Sequence, residues 1–171
     1  PTSIDIEPTT FCNFACKMCQ RTYWKRKSQN MTIDHFIHIY DSFPKLEFIK
    51  IQGVGEPLLN NDIFQMMEYS KKKGSHVTTY TNGSLLHLNN NSIKLINTGI
   101  DLIRISVDGG NKKTFESIRC NSNFHQIVKN ITLISKLSKG WPVKIELWIV
   151  ACPDNITELP HIIDIAKRAE I

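Results

Sequence analysis

The sequence predicts an α/β fold, an open, partial TIM-like barrel of βα units with parallel strands, truncated after about five units. Three observations predict it. Short apolar runs alternate with amphipathic stretches of helical period, the pattern of crossover-connected parallel strands. Only five such units fit into 171 residues, whereas a closed eight-stranded barrel takes about 200 residues or more. The composition, 41% hydrophobic and 22% charged, is that of an ordinary globular domain, and a chain of this length buries one core.

The elements follow in order. Ile4-Asp5-Ile6 is the first strand, and the loop after it carries three cysteines. Thr32 caps a helix whose Phe36, Ile39, Tyr40 and Phe43 fall at i, i+3, i+4 and i+7, one helical face. Leu46–Gln52 forms the second strand and ends in Gly53-Val54-Gly55-Glu56-Pro57. Asn61 starts a second helix (Ile63, Met66, Met67) that Gly74 stops. The third strand, His76–Tyr80, runs into Thr81-Asn82-Gly83, and a helix over Asn91–Thr98 stops at Gly99. Ile100, Leu102, Ile103, Ile105 and Val107 make a nearly continuous apolar fourth strand, the kind buried on both faces, which ends at Asp108-Gly109-Gly110. A longer helix presents Phe124, Ile127, Val128, Ile131, Ile134 and Leu137. The fifth strand, Val143–Val150, precedes a last amphipathic helix with Leu159, Ile162, Ile163 and Ala166 as its apolar residues. The whole chain, residues 1–171, reads as one domain. It stops after a helix where a further strand is expected and lacks an initiator Met, so an incomplete core is expected.

Several functional classes drop out at this level. No apolar run approaches the ~18 residues a membrane span needs, and the start has no basic and apolar leader. No membrane partner is therefore expected, and a cytoplasmic location is the working assumption. The net charge of +5 comes with no recognisable nucleic-acid reader, so no specific nucleic acid is expected. The basic residues beside the cysteine loop would at most favour an anionic substrate.

Five cysteines is an odd number, and Cys12, Cys16 and Cys19 lie within eight residues. A disulfide framework spreads its cysteines in pairs, so this cluster points to metal ligation in a reducing compartment. The spacing Cys12-x3-Cys16-x2-Cys19 sits after a first strand, at the carboxyl end of the sheet, where such folds place their chemistry. Three thiolates on a four-iron cluster leave one iron open to another ligand. A zinc site completed by His35 and a dithiol of Cys16 and Cys19 are the competing readings. Cys120 and Cys152 read as small buried hydrophobes, and His35 and His38 as structural.

The stretch Glu7-Pro8-Thr9-Thr10-Phe11-Cys12-Asn13-Phe14-Ala15-Cys16-Lys17-Met18-Cys19 resembles the signature of radical S-adenosylmethionine (SAM) enzymes. Gly55-Glu56-Pro57-Leu58-Leu59, Thr81-Asn82-Gly83 and Ile105-Ser106-Val107-Asp108-Gly109 follow in the order seen in members with a second, C-terminal SPASM domain. The resemblance covers essentially the whole chain, and departs from the family only where Val54 stands in place of a second glycine before Gly55. It implies a [4Fe–4S] cluster on Cys12, Cys16 and Cys19, and SAM at the open iron. It further implies reductive cleavage of SAM to a 5′-deoxyadenosyl radical that abstracts hydrogen from a substrate.

The same resemblance assigns SAM contacts. Gly55 and Glu56 fall to the amino group, a carboxylate beside a glycine being suited to an ammonium. Ser106 falls to the ribose or carboxylate, with Asp108 beside it on the same side of the strand by parity, as is Arg104. Arg119 falls to the carboxylate, and Met18 and Val150 to the adenine. Asn82 is a site residue or a turn residue ahead of Gly83. An external electron donor of flavodoxin or ferredoxin type and a peptide, protein or small-molecule substrate are the implied partners. The C-terminal strands and any SPASM domain are expected to lie outside residues 1–171.

Overall fold

The computed structural model describes residues 1–171 and contains the five parallel strands in a single sheet of order β1-β2-β3-β4-β5. These are β1 (Ser3–Ile6), β2 (Phe48–Ile51), β3 (His76–Thr81), β4 (Leu102–Ser106) and β5 (Lys144–Trp148). Each strand pairs with its sequence neighbour, so every crossover steps one place along an open sheet. Between them lie α1 (Gln20–Tyr23), α2 (Ile33–Asp41), α3 (Ile63–Lys72), α4 (Asn91–Asn97), α5 (Lys112–Ile118) and α6 (Phe124–Leu137), with α7 (Leu159–Ala169) at the end. No helix is long and apolar enough to cross a membrane.

The expected punctuation is largely where the sequence puts it. Thr32 caps α2 by accepting the His35 N–H at 3.3 Å. Gly74 and Gly99 end α3 and α4 at φ of +91° and +74°, a region costly for residues with a Cβ. The second long helix begins at Ile63 rather than Asn61, because Asn60 and Asp62 form a turn in which the Asn60 Oδ1 accepts the Asp62 N–H at 2.8 Å. The short helices α1 and α5 were not anticipated, being too brief for a periodic apolar stripe to form.

Residue alternation on the strands shows what is core and what is not. The cross-strand neighbours Ile49, Val77, Ile51, Thr79 and Ile103 share one face and are 0–1% exposed under the helices. The opposite face carries Asp5, Lys50, Tyr80, Arg104, Glu146 and Trp148. The expectation that β4 is buried on both faces therefore fails. Its Ile103 and Ile105 are buried, while Leu102, Arg104 and Ser106 are only half-buried. An open sheet of five strands has no far wall to cover its concave side.

On that side the Arg104 guanidinium donates to Glu146 Oε2 at 2.8 Å and to the Tyr80 hydroxyl, and lies 4.5 Å from the Trp148 ring centre. The parity assignment of Arg104 holds, and its aromatic and acidic neighbours give it a specific seat.

Phe36, fully buried on α2, fills the space between that helix and the sheet. Phe36→Ala is expected to cost about 3–5 kcal/mol, read as a fall in the urea midpoint at unchanged m-value.

Candidate functional site

The loop from Glu7 to Cys19 leaves β1 and is strapped on both flanks. On one flank Glu7 accepts the Val54 N–H at 2.7 Å, and the Phe11 carbonyl accepts the Glu56 N–H at 2.7 Å. On the other, the Ala15 N–H donates to the Cys120 carbonyl at 3.1 Å and the Lys17 N–H to the Ile118 carbonyl at 2.9 Å. The Asn60 amide further holds the Pro8 carbonyl at 2.6 Å. The loop thus bridges the ends of β2 and α5 through obligatory backbone groups.

Gly55 makes the first flank sterically workable. A Cβ there would sit 2.1 Å from the Thr9 carbonyl oxygen and 2.7 Å from that of Phe11. The close approach that requires glycine is to the protein's own cysteine loop, whereas the sequence reading assigned it to a ligand.

The five cysteines are all free, and three of them face one cavity of about 380 Å³. Cys12, Cys16 and Cys19 line it together with Met18, Gly55, Glu56, Asn82, Ser106, Arg119 and Val150. Seven of the eight residues assigned to SAM from sequence therefore meet the three thiols around one space. Asp108, the eighth, does not.

Burial pushes the Cys16 thiol up to about 11, with Arg119 opposing the shift. Cys12 is also raised by burial. Such thiols stay protonated at neutral pH unless a metal cation displaces the proton.

No three His, Cys, Asp or Glu side chains converge tightly enough to hold a single metal ion. His35, the candidate fourth zinc ligand, lies on the exposed surface of α2. Cys12, Cys16 and Cys19 line the cavity without His35 beside them, so the three thiols stand there without the fourth protein ligand that a structural zinc site takes.

The Glu56 carboxylate is 2% exposed and already accepts three hydrogen bonds. Its donors are the Thr81 hydroxyl at 2.7 Å, the Asn82 N–H at 2.7 Å and the Leu58 N–H at 3.3 Å. Burial raises its pKa while these donors pull the other way. These hydrogen bonds make Glu56, which also lines the cavity, a tie between the β2 turn and the end of β3.

Asn82 serves as both turn and wall residue. Its Oδ1 accepts the Ser84 N–H at 2.9 Å, while its amide donates to Asn13 Oδ1 at 2.9 Å and lies 3.9 Å from Cys12 Sγ.

Asp108 is fully buried and stands behind the cavity wall. Its Oδ2 receives Arg119 Nε and a terminal guanidinium nitrogen, both at 2.7 Å, and its Oδ1 accepts the Val150 N–H at 2.8 Å. The expected direct contact with a ligand is replaced by a positioning role: Asp108 orients Arg119 and pins Val150. Asn155 closes this corner by donating to the Asp108 and Val150 carbonyls at 3.2 and 2.9 Å.

The wall also includes Phe14, Gln20, Arg21, Gly53, Val54, Tyr80 and Thr81, which sequence reasoning did not select. Strand parity could have found Tyr80, since it shares the concave face with Arg104. Cys120 and Cys152 are half-buried and lie outside the cavity lining.

Breaking the buried Asp108–Arg119 pair from one side is expected to cost about 3–5 kcal/mol, because a charge is left buried without its partner. Asp108→Asn and Arg119→Met should each show this loss in denaturant unfolding. The double variant should lose clearly less than the sum; additive losses would mean that the two side chains are not coupled.

Comparison with known proteins places this arrangement. Residues 6–164 match the radical SAM superfamily. The chain is 29% identical over 165 residues to the tungsten-containing aldehyde ferredoxin oxidoreductase cofactor-modifying protein of Pyrococcus furiosus, covering 92% of this chain and 46% of that protein. It is 23% identical over 169 residues to the mycofactocin maturase MftC of Mycolicibacterium smegmatis, covering 98% and 42%. The chain spans about half the length of the curated relatives it matches. Among solved structures, Streptococcus suis SuiB bound to S-adenosylmethionine superposes with a TM-score of 0.82 at 16% identity, over 100% of this chain and 39% of SuiB. With the match extending from the end of β1 into α7, the chain belongs to the radical SAM superfamily.

Proposed function

We propose that this chain is the cofactor-binding core of a radical SAM enzyme that takes a hydrogen atom from a substrate, with a peptide or protein side chain as the substrate class. One observation carries the reading: the three thiols and seven residues singled out from separate sequence motifs surround a single cavity. Members of the superfamily bind a [4Fe–4S] cluster and SAM. The residues present fit that pair, since one loop offers three free thiols and the neighbouring wall offers polar and apolar groups for a nucleoside and an amino acid.

In this reading Cys12, Cys16 and Cys19 hold the cluster. When bound, the cluster and SAM supply a single electron and a carbon-centred radical that removes hydrogen from the substrate. The chain's own residues bind, orient and exclude water. Arg119 offers a guanidinium already aimed by Asp108. Ser106 offers a hydroxyl at the end of β4, and Met18 and Val150, both exposed and part of the cavity lining, offer apolar surface. The backbone of Gly53 to Glu56 offers polar groups whose position is set by Gly55 packing on the cysteine loop. Phe14, 4% exposed, adds an apolar ring to the cavity lining.

The peptide or protein substrate is supported by two relatives. MftC is named a maturase, and SuiB has been solved bound to its precursor peptide SuiA.

The deciding measurement is anaerobic reconstitution with iron and sulfide, followed by electron paramagnetic resonance of the reduced protein with and without SAM. A [4Fe–4S]⁺ signal that changes on adding SAM is expected. A signal indifferent to SAM, or uptake of zinc in its place, would sink the assignment.

Cys12→Ala, Cys16→Ala and Cys19→Ala are each expected to abolish the cluster. Gly55→Ala should lower iron content as well, although it removes no ligand, because its Cβ displaces the Thr9–Phe11 backbone. Full iron loading in Gly55→Ala would show that the strap does not set the loop.

A further inference from the structure

The chain's charge is concentrated in one place. Residues 8–33, which form the cysteine loop, α1 and the stretch after it, contain Lys17, Arg21, Lys25, Arg26 and Lys27 and no Asp or Glu. Their sum of +5 equals the net charge of the whole chain, so the remainder is neutral overall. Lys17, Lys25 and Lys27 are exposed and form no ion pair. Only Arg26 meets an acid, Glu7 at 3.3 Å.

Large apolar groups stand among these cations. Tyr23 is 70% exposed, and α1 buries none of its residues. Trp24 lies under the Arg26 guanidinium at 3.8 Å, and Phe11 and Met18 are also exposed.

This face is built directly on the thiol loop. Cys19 is the N-cap residue of α1, the Thr22 hydroxyl donates to the Cys16 carbonyl at 2.9 Å, and the Tyr23 hydroxyl donates to the Lys17 carbonyl at 2.8 Å. Anything resting on α1 therefore rests on the element that begins at the third thiol itself. Electron transfer between proteins falls steeply with distance, and an oppositely charged partner is steered to such a patch. Exposed aromatic and methionine side chains suit a small, transient contact.

We propose that the face formed by Lys17, Tyr23, Trp24, Lys25 and Lys27 is the docking surface for a small acidic one-electron carrier protein of the flavodoxin or ferredoxin class. The inference rests on the radical SAM reading of the thiol loop. In the transfer, the reduced carrier loses one electron and the cluster gains one, with no bond made or broken and no proton passed.

The test uses the full-length protein, reconstituted, with a reduced acidic flavodoxin as the probe. Cluster reduction is followed by stopped-flow absorbance, and binding of oxidised flavodoxin by flavin fluorescence anisotropy. Lys25→Glu/Lys27→Glu should lower both the bimolecular rate at low ionic strength and the affinity by about tenfold or more. The steep salt dependence of the unaltered protein should flatten in this variant. Each single reversal should give a smaller loss in the same direction, which keeps the test open should the double variant fold poorly. Lys129→Glu/Lys136→Glu, an equal charge change on the exposed surface of α6, should leave both readings unchanged.

Wild-type kinetics with flavodoxin in Lys25→Glu/Lys27→Glu would overturn the proposal. So would slowed substrate turnover under dithionite, which would assign the patch to an anionic substrate, or a loss confined to polynucleotide binding. A wild-type cluster that dithionite reduces but SAM leaves unchanged would instead overturn the reading of the site itself.

Discussion

Much of this structure hangs on the buried pair of Asp108 and Arg119. Asp108 belongs to the end of β4, Arg119 to the end of α5, and the Val150 N–H held by the same carboxylate to the end of β5. An ionised carboxylate that is fully buried is stable only when its lone pairs are used, and here all its partners come from other elements. The pair converts three chain ends into one corner. Through Ile118 and Cys120, the residues flanking Arg119, that corner also takes hold of the cysteine loop.

The cysteine loop is consequently shaped from two sides by unlike devices. On the β2 side the device is absence of volume, a glycine against which carbonyl oxygens lie closer than any Cβ allows. On the α5 side it is directed polarity, two backbone hydrogen bonds beside a buried ion pair. The thiols are thus presented by a frame that the chain builds from its own backbone. Preorganisation of this kind lets a site bind without first ordering its walls.

How much of this could be read beforehand varied with range. The strands and long helices were legible because apolar periodicity and capping residues such as Thr32 act locally. Cys12, Cys16 and Cys19 were legible because their spacing alone signals convergence. The roles of Asp108 and Glu56 were not, since a carboxylate at a strand end looks the same whether it meets a ligand or a neighbour 11 or 26 residues away. Gly55 was singled out, but its packing on the cysteine loop was not foreseen, because a sequence shows that space is needed without showing all that fills it. The apolar run of β4 suggested burial on both faces; only the open sheet reveals that Arg104 and Ser106 look onto an uncovered side.

The one-step strand order has a consequence for the timing of assembly. Each strand pairs only with the one made just before it, so the sheet can grow as the chain leaves the ribosome. The thiols precede in the chain every segment that braces them, Gly55 on one flank and Ile118 and Cys120 on the other. Their second flank waits for Ile118 and Cys120, and the Asp108 corner is closed only when Val150 and Asn155 arrive. Until then the chain carries three free thiols on a loop braced from the β2 side alone. Insertion of a cluster in a defined geometry becomes an event that follows the arrival of Val150 and Asn155.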